Sequence, residues 1–272
     1  MKYALFTGAT GDLGRCCIEE IAKLGDWTVF AGGTNDEKLA QLGEIENVIP
    51  IRLDVTSDES VEAAYEIIHN HTYRLQAIVN FAGIHVFTSM VEGNCVEEID
   101  RMLQVNVMGM VRVNKRFFEM VRIGRGRIIN CSSESGWMTP QPFNGPYTMT
   151  KYAVEAYNDS LRRELMYLDI PVIKIQPGSF KTQLTNKIFR DFDKCIENTN
   201  YYSRILTTMK PMMTMELGLD HDPKKLAKKV ILALTSPLPR TKYKVCTGKL
   251  LMALELLPDK AVDLAYKVAV HA

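Results

Sequence analysis

Three glycines spaced three apart, Gly8, Gly11 and Gly14, sit between an apolar run at residues 3–7 and a helical pattern carried by Cys16, Ile18, Ile21, Ala22 and Leu24. Strand, glycine-rich turn and helix, in that order, constrain the fold more than any other stretch. Glycines let a backbone approach a ligand closely. The helix N-terminus that follows offers free N–H groups and the positive end of a dipole. The arrangement suits a dinucleotide pyrophosphate; the alternative is a tight turn whose glycines only relieve crowding. The strand-to-helix context near the N-terminus favours the dinucleotide.

The alternation continues down the chain. Strands are expected at residues 28–31, 48–53, 75–81, 126–132, 171–176 and 243–246. Helices are expected over about 36–43, 57–70, 97–123, 147–168 and from Asp222-Pro223 to about 235. Residues 180–221 read as irregular or short-helical, and the tail 249–270 as two short helices broken at Pro258. Strands separated by helices indicate βαβ units and a parallel sheet, with right-handed crossovers placing helices on both faces. No repeat, low-complexity run or linker interrupts the 272 residues, so one domain is expected over 1–272. The fold class is α/β, a doubly wound parallel sheet in a three-layer αβα sandwich of the Rossmann kind.

A net charge of +1 implies no broad attraction to nucleic acid or to an anionic membrane. No apolar run reaches the ~18 residues of a spanning helix, and no signal-peptide pattern opens the chain, so a cytoplasmic protein is expected. Cys16, Cys17, Cys95, Cys131, Cys195 and Cys246 show neither CxxC nor Cys/His ligand spacing. They read as reduced small residues, and no metal site is expected.

Tyr147 and Lys151 lie one turn apart on one face of the helix expected at 147–168. An ammonium near a phenol favours phenolate, so such a tyrosine can exchange a proton with an alcohol or carbonyl oxygen. Alone, the spacing is shared with many helices that pack an aromatic beside a solvated charge. Its weight comes from the motifs around it: "TGATGDLG" at 7–14, Asp54-Val55, "NFAG" at 80–83, "NVMG" at 106–109, "INCSSESG" at 129–136, "YTMTK" at 147–151 and "PGSFKT" at 177–182. In this order they identify the chain as similar to the short-chain dehydrogenase/reductase family, of the compact type, over nearly its whole length.

That resemblance implies a seven-stranded sheet, in agreement with the strand count, and an NAD(P)-dependent oxidoreductase that interconverts an alcohol and a ketone. It implies Tyr147 as general acid/base and Lys151 as the group that assists it and holds the nicotinamide ribose. Ser133 would orient the substrate oxygen, with Ser132 a competitor, and Asn106 would support a water beside Lys151. Thr7, Gly8, Thr10, Gly11, Asp12, Leu13 and Gly14 would hold the pyrophosphate. Gly33 and Thr34, after the second strand, and Asp54 and Val55 would flank the adenosine. Asn80, Ala82 and Gly83 would line the cleft, and Pro177, Gly178 and Thr182 would meet the nicotinamide. Asn106 could instead close a backbone bond, and Thr182 could be a helix cap.

Two departures stand out. The family's usual glycine at position 12 is Asp12, with the glycine displaced to Gly11, a spacing shared with extended-type epimerases and dehydratases. The Asp12 side chain is expected to point away from a pyrophosphate. The Ser133-to-Tyr147 interval is one residue longer than the common spacing, which places an extra residue in the 137–145 loop. Gly33 and Thr34 supply neither the acid of NAD readers nor the arginine of NADP readers, and Arg15 could reach a 2′-phosphate or lie in solvent.

Residues 183–221 stand where the family carries a substrate lid. Ile188, Phe189, Phe192, Tyr202, Met209, Met212 and Met213 make that stretch strongly apolar. With Trp137, Met138, Phe143, His85, Val86 and Phe87, they point to a bulky lipophilic substrate; packing within the lid is the alternative. "YAVEAYNDSLRREL" resembles the retinol and hydroxysteroid dehydrogenase branch, and the family implies a homodimer or homotetramer built on the helices near 97–123 and 147–168. A non-catalytic NAD(P)-sensing protein on the same fold is the remaining alternative.

Overall fold

The computed structural model describes residues 1–180, 182–217 and 221–271. Seven strands form one sheet: β1 (Lys2–Thr7), β2 (Trp27–Gly33), β3 (Val48–Arg52), β4 (Ala77–Asn80), β5 (Arg127–Cys131), β6 (Val172–Pro177) and β7 (Lys242–Val245). Their order is β3-β2-β1-β4-β5-β6-β7, and every neighbouring pair is parallel. The expected doubly wound seven-stranded sheet is present.

Strands buried on both faces must be apolar at every position rather than at alternate ones. β2 is buried along its whole length, and β1 is buried from Ala4 to Thr7. Alternation then divides each strand between two cores. Ala4, Phe6, Val29, Ala31, Ile129 and Ile173 pack with α1 (Asp12–Ala22) and, through Leu226, Ala227, Val230 and Leu234, with α9 (Lys224–Thr235). Leu5, Phe30, Ile78, Ile128 and Val172 face the other way, onto α3 (Asp58–His71) and α5 (Gly109–Ile123). α2 (Asp36–Gly43) links β2 to β3, capped by Asn35 Oδ1, which accepts from Lys38 N at 2.9 Å.

Strand order reverses between β1 and β4. In such sheets the connections leave in opposite directions there, opening a crevice at the C-terminal strand ends. The helix expected at 97–123 is one continuous run containing α4 (Cys95–Leu103), a π-turn (Gln104–Met108) and α5. α6 (Gly145–Leu165) brings Tyr147 and Lys151 to the crevice. The tail forms α10 (Lys249–Leu254) and α11 (Asp259–His271) on either side of Pro258. Among the described residues, no helix is long and apolar enough to cross a membrane.

The lid expectation needs correction. Where irregular or short-helical chain is expected, the structure has two long helices, α7 (Gln183–Asn198) and α8 (Ser203–Leu217), with Pro211 inside the second. Thr182 starts α7 by accepting from Thr185 N at 3.3 Å. Ile188, Phe192, Leu206 and Met209 then bury against Phe87, with Phe143, Tyr202, Met212 and Met213 around them. The helical spacing of those apolar residues gives both helices one buried face. Residues 218–220 of the expected lid lie outside the described residues.

Candidate active site

The crevice holds a cavity of about 530 Å³. Its floor is the glycine turn. Gly8 adopts φ +70°, and a β-carbon at Gly14 would stand 2.3 Å from the Gly8 carbonyl oxygen, so only glycine lets α1 begin this close to β1. A β-carbon at Gly11 would meet only the Gly8 oxygen, at 3.4 Å, so this side of the turn is an open cradle. No side chain caps α1, and Gly11, Asp12, Leu13 and Gly14 line the cavity. An uncapped helix N-terminus at an open cradle fits a dinucleotide diphosphate.

Tyr147 reaches the cavity because α6 starts just before it. Asn144 precedes the helix, Pro146 stands in its first turn, and Thr148 N donates to Asn144 O at 3.0 Å. Lys151 follows one turn on. Its Nζ is buried, donates to the Cys131 carbonyl at 3.2 Å and lies 5.6 Å from the centre of the Tyr147 ring. The neighbouring Cys131 thiol is pushed up to about 11 by burial, partly countered by Lys151, so it stays protonated and is no nucleophile.

Ser133 lies at the cavity wall, where its Oγ accepts from Ser135 N at 3.2 Å; a hydroxyl can also donate. Ser132 also borders the cavity, but its Oγ is sealed from solvent with no partner among the described residues. Asn106 is fully buried in the π-turn. Its Oδ1 accepts from Ile84 N at 2.7 Å, and its Nδ2 donates to Ile84 O at 2.9 Å and Thr150 Oγ1 at 3.0 Å. It thus holds the loop after β4 against α6. A β-carbon on Gly83 would come within 3.4 Å of Asn106 Oδ1 and 3.8 Å of Lys151 Nζ, so these three residues converge.

Of the residues singled out in the sequence, Gly8, Gly11, Asp12, Leu13, Gly14, Gly83, Ser133, Tyr147, Lys151, Pro177, Gly178 and Thr182 line this one cavity. Thr7, Thr10, Gly33, Thr34, Asp54, Val55, Asn80 and Ala82 do not. Thr7 Oγ1 accepts from Phe81 N and Ala82 N, both at 3.2 Å, tying β1 to the turn after β4. Thr10 packs on Gly33 and Val55 on Gly109. Thr34 is exposed, and Asp54 accepts from both the N–H and the hydroxyl of Thr56. Asn80 sits in a buried amide network with Asn114 and Asn130.

The Asp12 carboxylate is turned to the lid: its Oδ2 accepts from Gln183 N at 2.6 Å, at the start of α7. Arg15 is engaged by Glu19 at 2.9 Å and Gln41 at 2.8 Å. Thr182 both caps α7 and faces the cavity.

Sequence reasoning missed part of the wall. Glu134, Gln141, Asn144, Lys187 and Arg190 line the cavity, whereas of the apolar lid residues named above only Ile188 does. Buried Glu134 accepts from Gly248 N at 2.7 Å and so fastens the start of α10 to the site. No local pattern announces these contacts, since each joins segments far apart in the chain.

A family model described as short chain dehydrogenase matches residues 2–193. Retinol dehydrogenase 7 of Rattus norvegicus is 31% identical over 264 residues, covering 89% of this chain and 80% of the relative. The 17-beta-hydroxysteroid dehydrogenase type 6 of Homo sapiens is 30% identical over 258 residues, again 89% and 80% of the two chains. Among solved structures, an actinorhodin polyketide ketoreductase with NADPH superposes with a TM-score of 0.76 at 23% identity, over 91% of this chain and 96% of that one. A 3-ketoacyl-(acyl-carrier-protein) reductase from Brucella melitensis with NADH gives 0.72 at 22% identity, over 90% and 96%. The match over most of the chain, together with a glycine cradle and a Tyr147–Lys151 pair lining one cavity, makes this protein a member of the short-chain dehydrogenase/reductase family, an oxidoreductase built to use NAD(P).

Proposed function

We propose that the protein interconverts a secondary alcohol and a ketone on a lipophilic substrate, with Tyr147 as the proton-exchanging group. The observation that carries this reading is the convergence of Tyr147, buried Lys151 and Ser133 on the cavity floored by the glycine turn. NAD(P), when bound, supplies or accepts the hydride. The amides that open α1 hold its diphosphate, and Lys151 Nζ holds the nicotinamide ribose. Tyr147 passes the proton to or from the substrate oxygen at its phenolic oxygen. Ser133 donates its hydroxyl proton to that oxygen and fixes its direction. Asn106 keeps Ile84 and α6 in register, which positions Lys151; a water beside Lys151 belongs to the same reading.

The lipophilic class rests on the relatives named for retinol and hydroxysteroids, and on Phe81, Ile84, Phe180 and Ile188 in the wall. The lid's apolar content lends less support than its composition suggested, because α7 and α8 bury most of it between themselves. The relatives are named as dehydrogenases, which favours this reading over an epimerase, and the intact Tyr147–Lys151 pair speaks against a purely sensing role. A homodimer or homotetramer fits the exposed Met108, Met149 and Tyr152 on the π-turn and α6.

The test is a panel of lipophilic alcohols and ketones assayed with NAD, NADH, NADP and NADPH. Tyr147→Phe should abolish turnover and leave cofactor affinity within about threefold, since the hydroxyl acts in the reacting state and not in binding. Turnover retained by Tyr147→Phe would overturn the assignment.

A further inference from the structure

Phe143 adopts φ +62°, a left-handed conformation that a bulky side chain rarely takes. The chain is held there from both sides. Thr88 N donates to Phe143 O at 3.1 Å, and the Phe143 ring packs edge-on against Tyr202 at 5.2 Å. The next residue, Asn144, occupies the position from which an asparagine side chain ordinarily caps a helix. Here it makes no cap. Its Oδ1 instead meets His85 Nε2 at 2.8 Å, across 59 residues of sequence.

His85 is buried at the cavity edge, and its ring lies 4.2 Å from the Tyr147 ring at 51°. Its carbonyl accepts from Lys187 Nζ at 3.2 Å. Its other nitrogen, Nδ1, is buried with no partner among the described residues. An apolar side chain would fill this space without leaving a nitrogen unpaired, so packing alone does not account for a histidine here. The charged groups acting on it are Lys187 and Asp191 from α7 and Lys151 from α6; with burial the dominant influence, the imidazole is held neutral.

We infer that His85 and Asn144 form a clamp that sets the position of the Tyr147 phenol, and that both are positioning residues for the proton transfer. The His85 ring braces one face of Tyr147, while the bond to Asn144 ties that brace to the start of the helix carrying Tyr147. Without it the phenol is free to swing away from the Lys151 ammonium, and the reacting geometry is held for less of the time.

The inference rests on the proposed role of Tyr147, and its test uses an alcohol that the full-length wild type oxidises. Asn144→Ala removes the bond and keeps the imidazole; His85→Phe keeps a ring against Tyr147 and removes the bond. Each should lower kcat roughly 10- to 100-fold with the cofactor KM unchanged. The double variant should be no slower than the slower single one, because both break one contact. The pH of half-maximal kcat/KM for alcohol oxidation should move upward in both, a readout that lost folding alone would not shift. Should His85→Phe fail to fold, Asn144→Ala carries the test. A kcat within twofold of wild type, a loss confined to KM, additive effects or an unmoved pH profile overturns the clamp. Wild type inactive across the panel would remove the catalytic reading and the clamp together; an active wild type with an indifferent Asn144→Ala removes the clamp alone.

Discussion

His85 makes the stability of the fold fall as pH falls. Burial, with smaller contributions from Lys187 and Lys151, lowers its pKa from 6.5 to about 4, against the opposing effects of Asn144 and Asp191. The folded protein therefore keeps this imidazole neutral where the unfolded chain protonates it. Between those two values the unfolded state binds more protons, so stability falls as pH falls; the contribution is full above 6.5 and fully lost below about 4. That difference corresponds to about 3 kcal/mol in all, of which about 2 kcal/mol is lost between pH 7.5 and pH 5. Urea unfolding of wild type and His85→Phe at those two pH values isolates this group, since the other titrating residues are common to both. Wild type should lose about 2 kcal/mol more than the variant over the interval. Parallel behaviour of the two proteins would refute the buried neutral imidazole.

Two further perturbations address the cradle and the lid. Gly14→Ala places a methyl 2.3 Å from the Gly8 carbonyl oxygen, a backbone atom that cannot rotate away. It should cost about 1–3 kcal/mol and weaken cofactor binding, read by thermal melting and cofactor titration; unchanged affinity would mean that the cradle is not the diphosphate site. Phe192→Ala empties the centre of the α7–α8 core, where the ring is 1% exposed and 4.8 Å from Phe87. A loss of about 3–5 kcal/mol is expected, seen first as faster hydrogen exchange in α7 and α8 while the sheet stays protected. Equal acceleration in β1 and β4 would show that the lid is not a separate cooperative unit.

The sheet and the centre of the site were legible in local sequence because local physics sets them. A strand buried on both faces has to be continuously apolar, as β2 is, and a turn that brings α1 against β1 has to be glycine where a β-carbon would strike the Gly8 carbonyl. Tyr147 and Lys151 share a helix face whatever surrounds them. Residues 180–221 read as irregular or short-helical because their apolar residues form a continuous stripe only when α7 meets α8 and makes a core of them.

The same limit explains the predicted residues that stand outside the cavity. Thr7 and Asn80 are polar at strand ends, and nothing nearby in sequence says whether such a group faces a ligand or another strand. Their partners, Phe81 and Ala82 for the one and Asn114 and Asn130 for the other, come from distant segments. The sequence by itself determined the alternating fold, the glycine cradle and the Tyr147–Lys151 pair, since each follows from backbone periodicity or the steric demands of a few adjacent residues. Only the tertiary structure decided that Asp12 meets the lid, that Glu134 fastens the tail and that His85 meets Asn144 at the start of α6. Those contacts join residues tens of positions apart, and close packing of the folded chain is what brings them within hydrogen-bonding range.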